Sequence, residues 1–110
     1  MKLTKKSTAR QSQRYLRFRI ISDRPVTFED ARNAATASIL NWMGEQGAGL
    51  ANVWVMKNLW DKEKQSGVIR CVPKAVDNIR FAMALVHQIG DSRAVFSVTK
   101  VSGTLKGLKG

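Results

Sequence analysis

Ala51-Asn52-Val53-Trp54-Val55-Met56-Lys57-Asn58-Leu59-Trp60 is followed by Asp61-Lys62-Glu63-Lys64-Gln65-Ser66-Gly67 and then by Val68-Ile69-Arg70-Cys71-Val72. Two runs of β-forming residues thus flank a polar loop of seven residues, Asp61 to Gly67. That pattern predicts a β-hairpin with a longer loop than a two-residue Asn-Gly turn. Val53, Val55 and Leu59 alternate with Trp54, Met56 and Trp60, so the first strand is apolar on both faces. A strand of this kind is covered on both sides, by helices on one and by a partner on the other.

Working outward, Arg14 to Ser22 alternates strictly. Leu16, Phe18 and Ile20 make an apolar face, and Tyr15, Arg17 and Arg19 a polar one, which is the mark of a half-buried strand. Asp23-Arg24-Pro25 ends it. Thr27 then reads as a helix N-cap, with Glu29 and Asp30 in the first turn where the helix dipole favours carboxylates. Phe28, Ala31, Ala35, Ile39, Trp42 and Met43 fall at helical spacing, and Gly44, Gly47 and Gly49 are expected to end the helix in a flexible link. On the other side of the hairpin, Pro73 ends the strand. A second helix is expected from about Lys74 to Ile89, with Val76, Ile79, Met83, Val86 and Ile89 as its stripe and Gly90 as its C-cap. Arg93 to Ser102 is a last strand with Ala94, Phe96 and Val98 on one face.

The element order is therefore β-α-β-β-α-β. Right-handed crossovers and one hairpin predict an α+β, ferredoxin-like or RRM-like two-layer sandwich. Its sheet would be four-stranded and antiparallel with both helices on one face, and the first and third strands would be central. A basic arm at residues 1–13, a single domain over 14–106 and a frayed tail over 107–110 complete the expected organisation.

Charge bears most directly on function. Nineteen Lys and Arg oppose eight Asp and Glu, a net charge of +11. Such an excess on one small domain favours a polyanionic partner, RNA or DNA. No uncharged run exceeds the twelve residues from Asn33 to Gly44, too short to span a bilayer, and no apolar run follows the basic start as in a secretory leader. The single cysteine, Cys71, has no internal disulfide partner, so a reducing, cytoplasmic setting is expected.

Catalytic constellations are missing from the pattern. His87, the sole histidine, has no carboxylate at helical spacing to orient it as a base. Cys71 falls at an inward position beside Ile69, where a buried, inert thiol is expected. No Cys, His and acid cluster has metal-ligand spacing, and Gly44-Glu45-Gln46-Gly47-Ala48-Gly49 follows a helix instead of opening one, a poor phosphate cradle. The central strands lack the aromatic pair that stacks bases in RNA-recognition domains, since Tyr15 stands alone. Outward arginines, Arg17, Arg19 and Arg70, are instead placed to grip phosphates, or to pair with acids of another subunit. Arg14, Lys100 and Lys106 extend this candidate RNA-binding set. Trp54, Met56 and Trp60 share one side of their strand and are either core packing or a partner interface.

Several of these segments, taken together, resemble a known family. They are Arg14-Tyr15-Leu16-Arg17-Phe18, Met43-Gly44-Glu45-Gln46-Gly47, Ser66-Gly67-Val68-Ile69-Arg70-Cys71, the helix from Val76 to Ile89, and Val101-Ser102-Gly103-Thr104-Leu105-Lys106. From about Arg14 to Lys106 the chain is similar to archaeal ribonuclease P protein component 2, the Pop-five family shared with eukaryotes. The resemblance implies a noncatalytic protein subunit of an endoribonuclease. Its RNA subunit would hold the catalytic magnesium ions and remove the 5′ leader from precursor tRNA, with no cofactor on this chain. It also implies pairing with component 3, contact with the RNA and precursor tRNA, and self-association within the assembly. Arg17, Arg19, Arg70 and Lys106 would then touch RNA phosphates.

Two rivals stand beside that reading. Small acylphosphatases share the element order, but they need a glycine-flanked phosphate loop where this chain has Ser22-Asp23-Arg24-Pro25-Val26-Thr27, without glycine. The other rival is a generic basic RNA-binding or interaction module.

Overall fold

The computed structural model describes residues 12–109; the basic arm, apart from Ser12 and Gln13, lies outside the described residues. Strand β1 spans Arg14–Ser22 and buries Leu16, Phe18 and Ile20 as its alternation requires. Helix α1 spans Phe28–Ala51 and starts where Thr27 Oγ1 accepts the Asp30 amide at 3.1 Å. This cap satisfies one of the helix's orphan donors. Phe28, Ala31, Ala35 and Ile39 are buried. Trp42, expected in the same stripe, is 47% exposed and donates to Asn78 Oδ1 at 3.1 Å.

The glycine run behaves differently from the expected flexible link. Only Gly44 leaves helical geometry, at φ 77°, and the chain resumes the helix to Ala51. Burial explains the resumption: Ala51 is 2% exposed and Ala48 packs on the core, while Gly47 lets the turn close on Met43. The helix ends at Asn52, whose left-handed φ of 51° directs its amide to Gly49 O.

The hairpin is present, but its first strand is short. Strand β2 is only Trp54–Val55, and it pairs antiparallel with β3, Ser66–Cys71. A 3₁₀ turn over Lys57–Leu59 follows, and it breaks the alternation expected through Trp60. Trp60 consequently swings onto the core side, 6.5 Å from the Phe18 ring and 6.0 Å from the Phe28 ring. An Asp61–Ser66 bridge then closes the loop. Gly67 lies opposite Phe18 in register, and a Cβ there would come within 2.7 Å of the Phe18 ring. The ring thus occupies the space that a side chain would need, which is why this position is glycine.

Gln65, in the polar loop of the hairpin, is a pin. It sits at φ 51°, and its Oε1 accepts the Val26 amide at 2.7 Å. Its Nε2 donates to Val26 O at 3.1 Å and to Lys62 O at 3.0 Å. Its backbone carbonyl accepts from Ile20 N at 2.8 Å. One side chain therefore ties the hairpin loop to the segment between β1 and α1, at a valine that is 7% exposed. Gln65→Ala leaves two buried backbone groups without partners and is expected to cost about 2–3 kcal/mol in urea unfolding. A loss below about 0.5 kcal/mol would show that water replaces the amide at no cost.

After the 3₁₀ turn Pro73–Ala75, helix α2 spans Val76–Ala84 and not the longer range expected. Its last predicted turn instead forms strand β4, Gln88–Ile89, which pairs with the start of β5, Ser92–Ser102. Among the described residues the sheet therefore has five strands, in the order β2-β3-β1-β5-β4 and antiparallel throughout. Gly90, expected as a helix C-cap, supplies its positive φ of 60° to the β4–β5 turn. A Cβ at Gly90 would approach Asp30 Oδ2 to 2.7 Å.

Both long helices cover one face of the sheet. Leu16, Phe18, Ile20, Ile69, Cys71, Ala94 and Phe96 from the strands meet Ala31, Ala35, Ile39, Ile79, Ala82 and Met83 from the helices. Each large apolar side chain buried here contributes about 1.5–3 kcal/mol. Ser38 Oγ donates to Ala82 O at 2.6 Å and fixes α1 against α2. Burial pushes the Cys71 thiol up from 9.0 to about 11, against the pull of nearby Arg14, so the sulfur stays protonated and unreactive in the folded protein.

Candidate nucleic-acid interface

With the helices on one side, the opposite face of the sheet carries the outward set of each strand. The pairings define its rows. Trp54, Arg70, Tyr15 and Ser102 lie side by side across four strands. Val68, Arg17 and Lys100 form the next row, then Ser66, Arg19 and Ser97, then Ile21 and Val95. The five strands hold six basic residues, Arg14, Arg17, Arg19, Arg70, Arg93 and Lys100, and no Asp or Glu. Every acid of the chain lies on a helix, a turn or a loop. Among the described residues the single ion pair is Lys57–Glu29 at 3.8 Å, on exposed side chains outside the strands. Like charges opposed across strands destabilise a sheet, so the arrangement costs stability in the free protein. An arriving polyanion would relieve that cost.

The end of the chain crosses this face. Thr104 caps the short helix α3, Leu105–Leu108, by accepting the Gly107 amide at 3.0 Å, and Ser102 Oγ accepts from Thr104 N at 3.2 Å. Gly107 lies so close to Ser102 Oγ that a Cβ there would collide with it. Leu108 is 5% exposed, and α3 packs on β1 and β5. Residues 107–109 are therefore an ordered turn, not the frayed tail expected from their composition. Thr104 at a cap, with Leu105 and Leu108 at helical spacing after it, was the signal in the sequence.

Arg17 holds that turn in place. Its Nη1 donates to Leu108 O at 2.7 Å and its Nε to Thr99 Oγ1 at 3.2 Å, and Thr99 Oγ1 donates back to Arg17 O at 3.3 Å. The register shift between Arg17 and Phe18 puts Thr99 in reach. Arg17 thus spends two of its donors inside the protein, where the sequence assigned it to phosphate. Arg14 departs further from the expected set. It shares the inward phase of Leu16, its Nη1 donates to Gln13 O at 2.9 Å, and it lies near Cys71 and Gly103.

The remaining candidates do share the outer face and its C-terminal rim. Arg19 and Lys106 are exposed, Lys100 is half-buried, and Arg70 is half-buried with its Nε enclosed and without a hydrogen-bond partner. A groove of about 1060 Å³ runs past Arg17, Arg19 and Thr99, with Lys109 and Lys64 also on its lining alongside Asp61 and Glu63. Lys64 and Lys109 were not among the sequence candidates, because nothing local tells where a hairpin tip and a chain end will fold.

Trp54, Met56 and Trp60 do not form one row. Trp60 is packed against Phe18 and Phe28, Met56 is half-buried with its amide bonded to Val68 O, and Trp54 alone is widely exposed at 59%. Chemistry of other kinds finds little support in the described residues. No group of three or more His, Cys, Asp or Glu there could hold a metal. His87 is exposed, with Nδ1 3.4 Å from Leu85 O. The loop where an acylphosphatase would cradle phosphate lines a pocket in which the carboxylates of Asp30 and Asp91 oppose the one cation, Arg24.

The sequence also has relatives among known proteins. Ribonuclease P protein component 2 of Thermococcus gammatolerans is 35% identical over 102 residues, 93% of this chain and 83% of that protein. The Pyrococcus abyssi protein of the same name is 36% identical over 102 residues, 93% and 85% of the two chains. That of Methanobrevibacter smithii is 29% identical over 105 residues, 90% and 87%. Among solved structures, a chain of yeast ribonuclease MRP superposes with a TM-score of 0.64 at 14% identity, covering 86% of this chain and 76% of that one, a likeness of fold. The model of the Rpp14/Pop5 family matches residues 14–110, the whole sheet and both helices, and the chain belongs to that family.

Proposed function

We propose that this chain is a protein subunit of ribonuclease P and that it uses the outer sheet face to bind and support the catalytic RNA during removal of the 5′ leader from precursor tRNA. The observation that carries this reading is charge segregation: five outward basic residues, Arg17, Arg19, Arg70, Arg93 and Lys100, and no acid in the strands, on a member of the Rpp14/Pop5 family. Guanidinium and ammonium groups at spacings of about 5 Å between strands match a phosphate backbone better than they match a small substrate. The chain's part is then electrostatic. Each phosphate it neutralises lowers the magnesium that the RNA needs to hold its active geometry, while the catalytic ions sit on the RNA.

The partners in this reading are the ribonuclease P RNA, precursor tRNA and component 3, with self-association inside the assembly. Among the described residues no helix is long and apolar enough to cross a membrane. A role on precursor tRNA supports the reading of a cytoplasmic setting.

Cleavage of precursor tRNA by a cognate ribonuclease P RNA at limiting magnesium tests the proposal. It is run with this protein, with component 3, and with both. Stimulation by the pair beyond either alone is the expected result. If the pair leaves cleavage unchanged while a complete set of subunits stimulates it, the chain is a basic module for some other RNA.

A further inference from the structure

One row of the outer face combines charge with aromatic surface. Trp54 on β2 stands opposite Arg70 on β3, and Arg70 opposite Tyr15 on β1. With strands about 4.8 Å apart the row spans about 10 Å, the scale of one nucleotide with its phosphate. Trp54 keeps 59% of its surface exposed, whereas Trp60, which the sequence grouped with it, is half-buried against Phe18 and Phe28. Beside it, Arg70 Nε is enclosed and finds no acceptor among the described residues. A buried donor in this state costs stability until an acceptor arrives.

We propose that Trp54, Arg70 and Tyr15 form a stacking site for an unpaired nucleotide, with Trp54 taking the base and Arg70 the adjoining phosphate. The inference rests on the RNA-binding reading above and gives it a substrate class: a single-stranded loop, bulge or end, because a base inside a duplex has no free face to offer. The surroundings argue against an apolar protein partner. Trp54 has the Arg70 cation on one side. On the other side β2 is the edge of the sheet, and Trp54 there lines a groove of about 410 Å³ together with Phe28, Val53, Arg32 and Lys57. A flat apolar face beside Arg70, with Arg32 over the Phe28 ring and Lys57 paired to Glu29 at the edge, suits a ligand that is itself flat, apolar and anionic. The edge groove gives the neighbouring nucleotide room to continue past the sheet.

The test compares oligoadenylate with an abasic ribose-phosphate strand of the same length, by fluorescence anisotropy on the full chain. The wild type is expected to prefer the oligoadenylate by about 10-fold, the worth of one base stacked on an aromatic side chain. Trp54→Ala should erase that preference, Trp54→Phe should keep most of it, and Arg70→Gln should weaken both strands. Unchanged melting temperatures show that the variants are folded. A preference that survives Trp54→Ala overturns the stacking site. The RNA-binding face still stands in that case if an Arg19→Gln/Lys100→Gln variant loses affinity for both strands. If the wild type binds neither strand nor structured RNA, the RNA-binding face falls and the stacking site with it. If Trp54→Ala keeps the preference but loses component 3, the residue is a protein contact and the proposal is wrong.

Discussion

Exchanging Arg19, Arg70, Lys100 and Lys106 together for glutamine is expected to lower affinity for structured RNA by about 100- to 1000-fold near physiological salt, and to flatten the slope of log affinity against log salt by about 3. Each phosphate contact releases roughly one counterion, so four lost contacts remove most of a salt-dependent binding energy. Arg17 is left out deliberately, because it clamps Leu108 and Thr99 and its loss would unseat the C-terminal turn. The four chosen side chains make no hydrogen bond or ion pair among the described residues. The variant should therefore melt at the same temperature as the parent or higher, since it relieves like-charge crowding on the sheet. A filter-binding salt series reads the slope, and an unchanged slope would mean that the RNA lies elsewhere on the protein.

The second large effect falls on stability. Phe18→Ala is expected to cost about 3–5 kcal/mol, a large share of the ~5–15 kcal/mol that holds a domain of this kind together. Phe18 is 1% exposed, meets Phe96 edge-on at 5.3 Å and lies 6.5 Å from Trp60. Its ring also fills most of the space over Gly67, with the Trp60 ring next to it. Removal would open a cavity shared by β1, β3 and β5, and a urea titration would record it as a fall in midpoint. A cost under about 1 kcal/mol would show that the surrounding rings collapse into the gap.

The parts of this structure that were legible in the sequence are those with an unambiguous phase. Leu16, Phe18 and Ile20 alternate with polar residues, so β1 and its two faces could be read directly. Thr27 followed by Glu29 and Asp30 marked the start of α1. The hairpin strand before Asp61 was misread because Val53 to Trp60 is apolar on both faces. Such a run carries no phase, and nothing in it signals the 3₁₀ turn at Lys57–Leu59. The last turn of the second helix was overextended for a related reason. Val86 and Ile89 are buried, as a helical stripe would bury them, but they reach the core from a turn and from β4. Gly90 fits a helix cap and a hairpin turn equally well, since both want a positive φ.

The candidate site divides along the same line. Strand parity put Arg19 and Arg70 outside, and the register agrees. Parity cannot say which outward arginine the protein keeps for itself. That was settled by the return of the chain end over the sheet, which takes Arg17 for Leu108 O and brings Lys109 to the groove. Local pattern likewise could not part Trp54 from Trp60, because the separation is made by a turn three residues long.

If this protein supports the RNA through the cations of its outer face, magnesium and the face substitute for one another. A magnesium titration of precursor-tRNA cleavage, with component 3 present and either the parent protein or the four-glutamine variant, tests this directly. The variant is predicted to fail at limiting magnesium and to recover as magnesium rises, shifting the midpoint upward without lowering the plateau. Superimposable titrations for the two proteins would contradict the account.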